Sequence, residues 1–227
     1  MALPFGQNEF NLPRHRLIFQ RANGHATGRK PKGEPMRKLI PTRPLACLLS
    51  SAALLFGAAG QAQTPVAADN LQPGLEVCYI DGLIRHIDEM VRLEARKPCE
   101  PGPNLRLLNS SVGGGTVLTS NLNDGVMARI TGFIHLDTQG TYLFTFESND
   151  GVRLEIDGQM ILEDPDVHSD RYAEYGRMEV TEPGWYPLTV RYFERKSTST
   201  LRFFWQPPGT EGTMPKVPAT ALAHKGA

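Results

Sequence analysis

The stretch that decides the fold runs from Gly140 to Gly158 and reads GTYLFTFESNDGVRLEIDG. Large apolar residues occupy every second position in both of its halves: Tyr142, Phe144, Phe146, Val152, Leu154 and Ile156. Such alternation is typical of strands with one buried face. The segment Asn149-Asp150-Gly151 separates the halves, and Asp157-Gly158 follows the second, so both halves end in turn residues. The stretch therefore predicts consecutive antiparallel strands.

The same alternation continues on both sides of this stretch, in residues 126–136, 177–180, 185–193 and 201–205. Short strands at this spacing predict an all-β fold, an antiparallel β-sandwich or barrel that forms one domain over residues 71–224. Before it, Val77 to Ile80 reads as a short strand, and Ile84, Ile87 and Val91 follow at helical spacing. We expect a short helical or irregular segment near residues 82–96.

Charge is divided unevenly along the chain, although Lys plus Arg and Asp plus Glu both number 24. The first 62 residues hold nine basic and two acidic residues, a net +7, which leaves 15 basic and 22 acidic residues, a net −7, for the rest. Such opposite segments are not expected to share one folded surface. The acidic part disfavours nucleic acid as a partner.

The basic segment carries the pattern of an export signal. Met36-Arg37-Lys38 precedes an apolar run of residues 45–59, and Gly60-Gln61-Ala62 has small residues where signal peptidases cleave. We expect a disordered upstream extension at 1–35, a signal peptide at 36–62 cleaved near Ala62, and a linker at 63–70. The apolar run is shorter than the ~20 residues of a membrane-spanning helix, so a periplasmic or secreted product without a membrane span is predicted. A retained, uncleaved anchor is the alternative.

Cysteine usage agrees with export. Cys47 lies in the apolar run, which leaves Cys78 and Cys99 as a pair in the mature chain. In an oxidising compartment this pair predicts one disulfide, and two free thiols are the alternative.

The Gly140–Gly158 stretch resembles the signature of the PA14 domain family. Similar blocks follow in family order at Pro183–Leu188, Arg191–Glu194 and Leu201–Gly209, with an opening block at Pro73–Tyr79 and a closing one at Val217–His224. The resemblance implies a β-sandwich that is generally non-catalytic and that binds glycans in several members.

In glycan-binding adhesins of this family, two consecutive aspartates joined by a cis peptide hold a calcium ion that ligates sugar hydroxyls. The matching pair here is Asn149-Asp150, and an Asn carbonyl is an admissible calcium ligand. The second loop of that site corresponds to residues 194–200, where Glu194, Arg195 and Lys196 are candidate ligand-binding residues. Two cations there repel calcium unless they contact an anionic ligand, and a solvated hairpin tip is the alternative.

Other candidate sites fail on their spacing. The run Asp164, Asp166, His168 and Asp170 suggests a metal loop, but Ser169 and Tyr175 stand where an EF-hand needs Gly and Glu. Trp185 and Trp205 alternate with apolar residues, which favours core positions over sugar stacking.

We therefore expect no enzyme but an exported binding module. It would recognise a carbohydrate or a cell-envelope polymer through loops at one end of the sandwich, with calcium as a hypothetical cofactor. The alternative is a structural or protein-interaction module of an envelope assembly, with envelope proteins as partners and no sugar binding.

Overall fold

The computed structural model describes residues 64–226. The predicted extension at 1–35 and the signal peptide at 36–62, with its cleavage near Ala62, lie outside these residues. So does Gln63, the first residue of the predicted linker. No helix within 64–226 is both long and apolar enough to cross a membrane.

Two antiparallel sheets pack against each other. The larger sheet has eight strands: β1 (Leu71–Pro73), β2 (Leu75–Asp81), β3 (Glu100–Leu105), β5 (Val126–Leu136), β7 (Val152–Ile156), β8 (Gln159–Asp164), β11 (Gly184–Glu194) and β13 (Leu222–Lys225). The smaller sheet has five: β4 (Asn109–Val112), β6 (Gly140–Asn149), β9 (Arg171–Tyr172), β10 (Gly176–Val180) and β12 (Ser199–Gln206). One helix, α1 (Ile87–Glu94), and a short 3₁₀ turn (Ala219–Ala221) complete the described part. The predicted antiparallel β-sandwich with a short helical segment is confirmed.

The core lies between the sheets and is built by the alternation seen in the sequence. Tyr142, Phe144 and Phe146 of β6 are fully buried, and the ring of Phe146 stacks on that of Phe203 in β12 at 4.4 Å between centroids. Burying one such side chain contributes ~2 kcal/mol. The apolar positions of β5 and β7 face the same core, so the period-two pattern selects the side of each strand that is buried.

Helix α1 covers the outer face of the larger sheet. Ile87 and Met90 are buried against Phe193 of β11 and Met127 of β5. The predicted helical spacing included Val91, but Val91 faces solvent and Met90 takes the buried position. Ile84, Ile87 and Met90, each three residues from the next, share one buried cluster, which leaves Val91 at the exposed edge of the helix.

Two further contacts hold α1 in place. Arg191 of β11 donates to Glu94 at 3.1 Å, and Arg153 of β7 donates to Asp88 at 2.6 Å. The predicted disulfide between Cys78 and Cys99 is confirmed, and it spans the helical excursion. By the chain-entropy model a loop of this length stabilises the fold by ~3 kcal/mol.

The two ends of the sandwich are built differently. At one end, named here the turn end, short connections at 137–139, 157–158 and 181–183 join β5 to β6, β7 to β8 and β10 to β11, and the longer segment 207–221 leaves β12 there. At the other, the loop end, the connections are 113–125, 150–151, 165–170 and 195–198. Asp157 and Gly158 both have positive φ, as a tight hairpin turn requires. The loop end carries the candidate site.

Candidate ligand-binding site at the loop end

Buried polar side chains are concentrated at the loop end. Within residues 64–226, eight polar or charged residues are buried: Thr145, Ser148, Asn149, Asp150, Asp164, Glu194, Ser199 and Thr200. All except Thr145 lie in or beside the strand ends that meet at the loop end. Burying a polar group is unfavourable unless it is hydrogen-bonded, so the partners of these groups define what this end is built to do.

Asn149, the last residue of β6, connects two loops through its side chain. Its Nδ2 donates to Oδ1 of Asp170 at 3.0 Å and to Oγ1 of Thr198 at 2.8 Å. The opposite orientation of the amide would place its carbonyl oxygen against the Asp170 carboxylate, two acceptors facing each other, so Asp170 selects the orientation. Both hydrogens of the amide are therefore used.

Asp150 connects the same two loops through its carboxylate. Its Oδ1 accepts the backbone N–H of His168 at 2.9 Å, and its Oδ2 accepts the backbone N–H of Arg195 at 2.7 Å. The residue is only 3% exposed. Hydrogen bonds to a charged, buried acceptor are among the stronger ones in proteins, so Asp150 holds the 165–170 loop at His168 and the 195–198 loop at its first residue.

Backbone contacts hold the pair itself. The Asn149–Asp150 peptide bond is cis. The hydroxyl of Tyr192 donates to the carbonyl oxygen of Asn149 at 2.6 Å. Burial raises the pKa of Tyr192 well above its ordinary value, with the nearby carboxylates of Glu194 and Asp150 acting in the same direction. The phenol therefore stays protonated and remains a donor.

Glu194 is the least satisfied group of the site. It is 1% exposed, and neither carboxylate oxygen has a hydrogen-bond partner. Burial, with the nearby carboxylates of Asp124 and Asp150, raises the pKa of Glu194 to about 7. Sequence reasoning placed Glu194 in a ligand-binding loop, whereas the structure places its side chain under that loop.

The two cations of the 195–198 loop differ in their surroundings. Lys196 is exposed, and the Arg195 side chain is half-buried with an Nε that has no hydrogen-bond partner. The loop is held from below, since Ser197 donates its backbone N–H to Oδ1 of Asp124 at 2.7 Å. Of the predicted ligand-binding residues, Lys196 is the exposed one.

The alternating run at 164–170 does not form a metal loop. Both carboxylate oxygens of Asp164 accept from Arg171, and Nε2 of His168 lies 3.3 Å from Asp164. Asp170 instead accepts from Asn149 and, at 3.1 Å, from the hydroxyl of Thr200. Across residues 64–226, no three His, Cys, Asp or Glu side chains are grouped to hold a metal ion.

The calcium hypothesis for Asn149 and Asp150 stays a prediction, but the donor set does not favour it. The space between Asp170 and Thr198, where a cation would meet oxygen ligands, is filled by the amide nitrogen of Asn149, which presents hydrogens. Both oxygens of Asp150 already accept backbone N–H groups. The residues present therefore do not fit a calcium ion as arranged.

Aromatic and histidine candidates serve the fold. Trp205 is 8% exposed and packs in the core, as its alternation predicted. The core position predicted for Trp185 is wrong, because Tyr186 and Leu188 take the buried side of β11; Trp185 is half-buried at the turn end, where its ring lies 4.8 Å from that of His135. His86 caps α1 and its backbone pairs with Asp166 of the 165–170 loop, so it borders the loop end as a structural residue, whereas Trp185 and His135 lie at the turn end.

Two partners of the site were missed by sequence reasoning about the pair. Asp170 and Thr198 lie 21 and 49 residues from Asn149. In the sequence, Asp170 belongs to the alternating acidic run and Thr198 to the second loop. No local signal connects either with Asn149, because the contact depends on how the strands pair.

The sequence and the fold are both similar to those of known proteins. Residues 119–217 match the model of the PA14 domain. The fold is similar to the PA14 domain of the MpAFP antifreeze protein, with 17% identity and a TM-score of 0.57 over 73% of this chain and 98% of that chain. A comparison with curated proteins gives no match.

Two further solved structures are similar. The PA14 sugar-binding domain from an RTX adhesin has 18% identity and a TM-score of 0.52, over 67% of this chain and 98% of that one. The Epithelial Adhesin 9 A domain from Candida glabrata, solved in complex with Galb1-4GlcNAc, has 10% identity and a TM-score of 0.55, over 72% and 94%. At identities this low, the structural similarity establishes a shared fold alone.

Proposed function

We propose that this chain, whose residues 119–217 match the model of the PA14 domain, is an exported, non-catalytic module that binds carbohydrate or a cell-envelope polymer through its loop end. Two similar structures support the proposal, a sugar-binding domain of an adhesin and an adhesin domain solved with a disaccharide. A shared fold does not by itself fix a function, so the argument depends on the loop end of this chain.

The observation that carries the proposal is the concentration of buried polar groups beneath the loops. Loops on a rigid scaffold are common positions for binding residues. Here, the loops at 165–170 and 195–198 are fixed from below by Asn149 and Asp150, which keeps their outer surfaces in place for a ligand. Preorganisation of this kind lowers the entropy lost on binding.

The exposed face of the 195–198 loop indicates the chemistry of the ligand. Lys196 is exposed and the Arg195 side chain lies beside it, on a domain whose overall charge is negative. A fork of guanidinium donors suits carboxylate or phosphate groups. We therefore expect preference for an acidic sugar or an anionic envelope polymer over a neutral glycan.

Export is supported by the disulfide. The Cys78–Cys99 bridge suits a compartment where thiols are oxidised, which means the periplasm or the outside of the cell. The cleavage of a signal peptide near Ala62 is part of this proposal, and N-terminal sequencing of the purified protein tests it directly.

The binding experiment is an array of neutral glycans, uronate-containing glycans and envelope polymers, probed with the purified protein. Lys196→Glu reverses a charge at the loop end, and Lys225→Glu makes the same change on β13 near the turn end, where Lys225 is also exposed. Losing a charge contact to an anionic ligand weakens binding by about tenfold or more. We expect this loss for Lys196→Glu and unchanged binding for Lys225→Glu.

A third variant tests the other exposed surface suited to sugars. Tyr172 and Tyr175 are 60% and 65% exposed, and the ring of Tyr172 lies 5.6 Å from that of Phe204 on the outer face of the smaller sheet. Loss of binding in Tyr175→Ala with retention in Lys196→Glu would move the site to this face. Absence of binding to every glycan and polymer would defeat the proposal in favour of a protein-interaction module.

A further inference from the structure

Four hydrogen bonds from two adjacent residues join the same two loops. Asn149 contacts Asp170 in one loop and Thr198 in the other, and Asp150 contacts the backbone of His168 and of Arg195. Each residue thus bridges the 165–170 loop and the 195–198 loop. The pair therefore joins the two loops through hydrogen bonds between protein groups alone.

The amide of Asn149 occupies the position that a cation would need. Its nitrogen lies 3.0 Å from a carboxylate oxygen and 2.8 Å from a hydroxyl oxygen, and it gives one hydrogen to each. Two oxygen atoms on different loops are therefore drawn together by a neutral group with two donors. An aspartate at this position would offer two acceptors and would need a positive ion between it and Asp170.

We infer that Asn149 replaces a metal ion in this domain, so that the loop end is assembled, and the ligand of the proposed function is bound, without calcium. The part of the inference that concerns ligand binding rests on the proposed function. The part that concerns loop assembly does not, because it can be measured with no ligand present.

The inference predicts different responses to calcium for two variants of Asn149. Asn149→Asp removes both donors and adds a carboxylate next to Asp170 and Asp150, so the loops repel until a cation neutralises the group. Asn149→Ala removes the donors and adds no charge. Calcium should therefore rescue the first variant and leave the second unchanged.

The experiment measures the melting temperature of the purified full chain in millimolar calcium chloride and in EDTA, with terbium luminescence as a direct reading of metal binding. For the unmodified protein we expect a calcium shift below ~1 °C and no terbium signal, since a ligand that does not bind cannot stabilise. For Asn149→Asp in EDTA we expect a melting temperature lower by ~5 °C or more, recovered in calcium. The control is Asn109→Asp, which adds the same charge at an exposed position of β4 and should not respond to calcium.

Several results would overturn the inference. A calcium-dependent rise in the melting temperature of the unmodified protein would do so, as would terbium binding by it. Equal stability of Asn149→Ala and the unmodified protein would show that the amide does not hold the loops. If neither Asn149 variant folds, the calcium response of the unmodified protein alone decides.

The glycan array separates this inference from the proposed function. Binding that is equal in calcium and in EDTA supports both, and binding lost in EDTA overturns the inference while leaving the function intact. A protein that binds no glycan but melts identically in both buffers loses the proposed function and retains calcium-independent loop assembly.

Discussion

The loop end and the turn end of the sandwich are formed by the two ends of the same strands, but their connections are held in different ways. At the turn end, a two-residue turn at 157–158 closes the β7–β8 hairpin, the connections at 137–139 and 181–183 cross from one sheet to the other, and Trp185 packs beside His135. At the loop end, longer connections are held by buried carboxylates and an amide. The comparison teaches that the loop end buries polar groups, at a cost in stability that apolar side chains would avoid. Such an arrangement is typical of functional sites.

The largest expected effect is a difference in stability between two variants, each of which removes one carboxylate from one end of the sandwich. Asp150→Ala leaves the partly buried backbone N–H groups of His168 and Arg195 without their acceptor, which should lower the free energy of unfolding by ~4 kcal/mol. Asp137→Ala removes an exposed carboxylate at the turn end that accepts from Thr138 and Tyr142, and should lower it by less than ~1 kcal/mol. Urea denaturation of both variants measures the difference, and equal losses would break the comparison.

A pH effect follows from Glu194. In the folded state its pKa is about 7, above the ordinary value of 4.5, because of burial and the neighbouring Asp124 and Asp150. The folded protein therefore holds a proton that the unfolded chain releases. The contribution of protonated Glu194 to the free energy of unfolding is fully present below pH 4.5 and is lost as the pH rises to 7. The loss amounts to as much as ~3 kcal/mol.

The variant Glu194→Gln isolates this effect, because it has nearly the same shape and does not titrate. We expect it to be more stable than the unmodified protein above pH 7 and equally stable below pH 4.5. The measurement is urea denaturation across this range. Parallel stability curves for the two proteins would show that the buried carboxyl does not titrate there.

The smallest expected effect compares two tyrosine hydroxyls. Tyr192 donates from the core to the backbone of Asn149 at 2.6 Å, and Tyr142 makes partly buried contacts to Asp137 and Thr138 at the turn end. Tyr192→Phe leaves a buried carbonyl without its partner and should lower the free energy of unfolding by ~1.5 kcal/mol. Tyr142→Phe should lower it by ~0.5 kcal/mol. A larger loss from Tyr142→Phe would reverse the expected ranking of the two ends.

Much of the fold is predictable because alternation is a local signal. Tyr142, Phe144 and Phe146 identify β6 and its buried face without any knowledge of its neighbours. The helix was less predictable, since a spacing of apolar residues does not say where the cap lies. Met90 and Val91 are both apolar, and only the packing of α1 on the sheet shows that Met90 is the buried one of the two.

The site was predictable only in part. Asn149 and Asp150 were found through resemblance to a family, and their partners depend on pairings of distant strands. Glu194 shows the limit most clearly, because a charged residue at the edge of a loop is ordinarily solvated. Glu194 is nevertheless buried, and it pairs with Val126 at the start of β5, a register that the sequence alone does not disclose.

The pairing of the first and last strands also has a mechanical consequence. Leu71 of β1 lies opposite Lys225 of β13, in antiparallel register, so the chain enters and leaves the domain side by side. Residues 222–223 of β13 pair with β5 near its turn end, away from Asn149 and Asp150. A force applied through the two flanking segments would unzip β1 from β13 one bond at a time. The loop end, which faces away from this attachment, would bear none of that load until the terminal strands had separated.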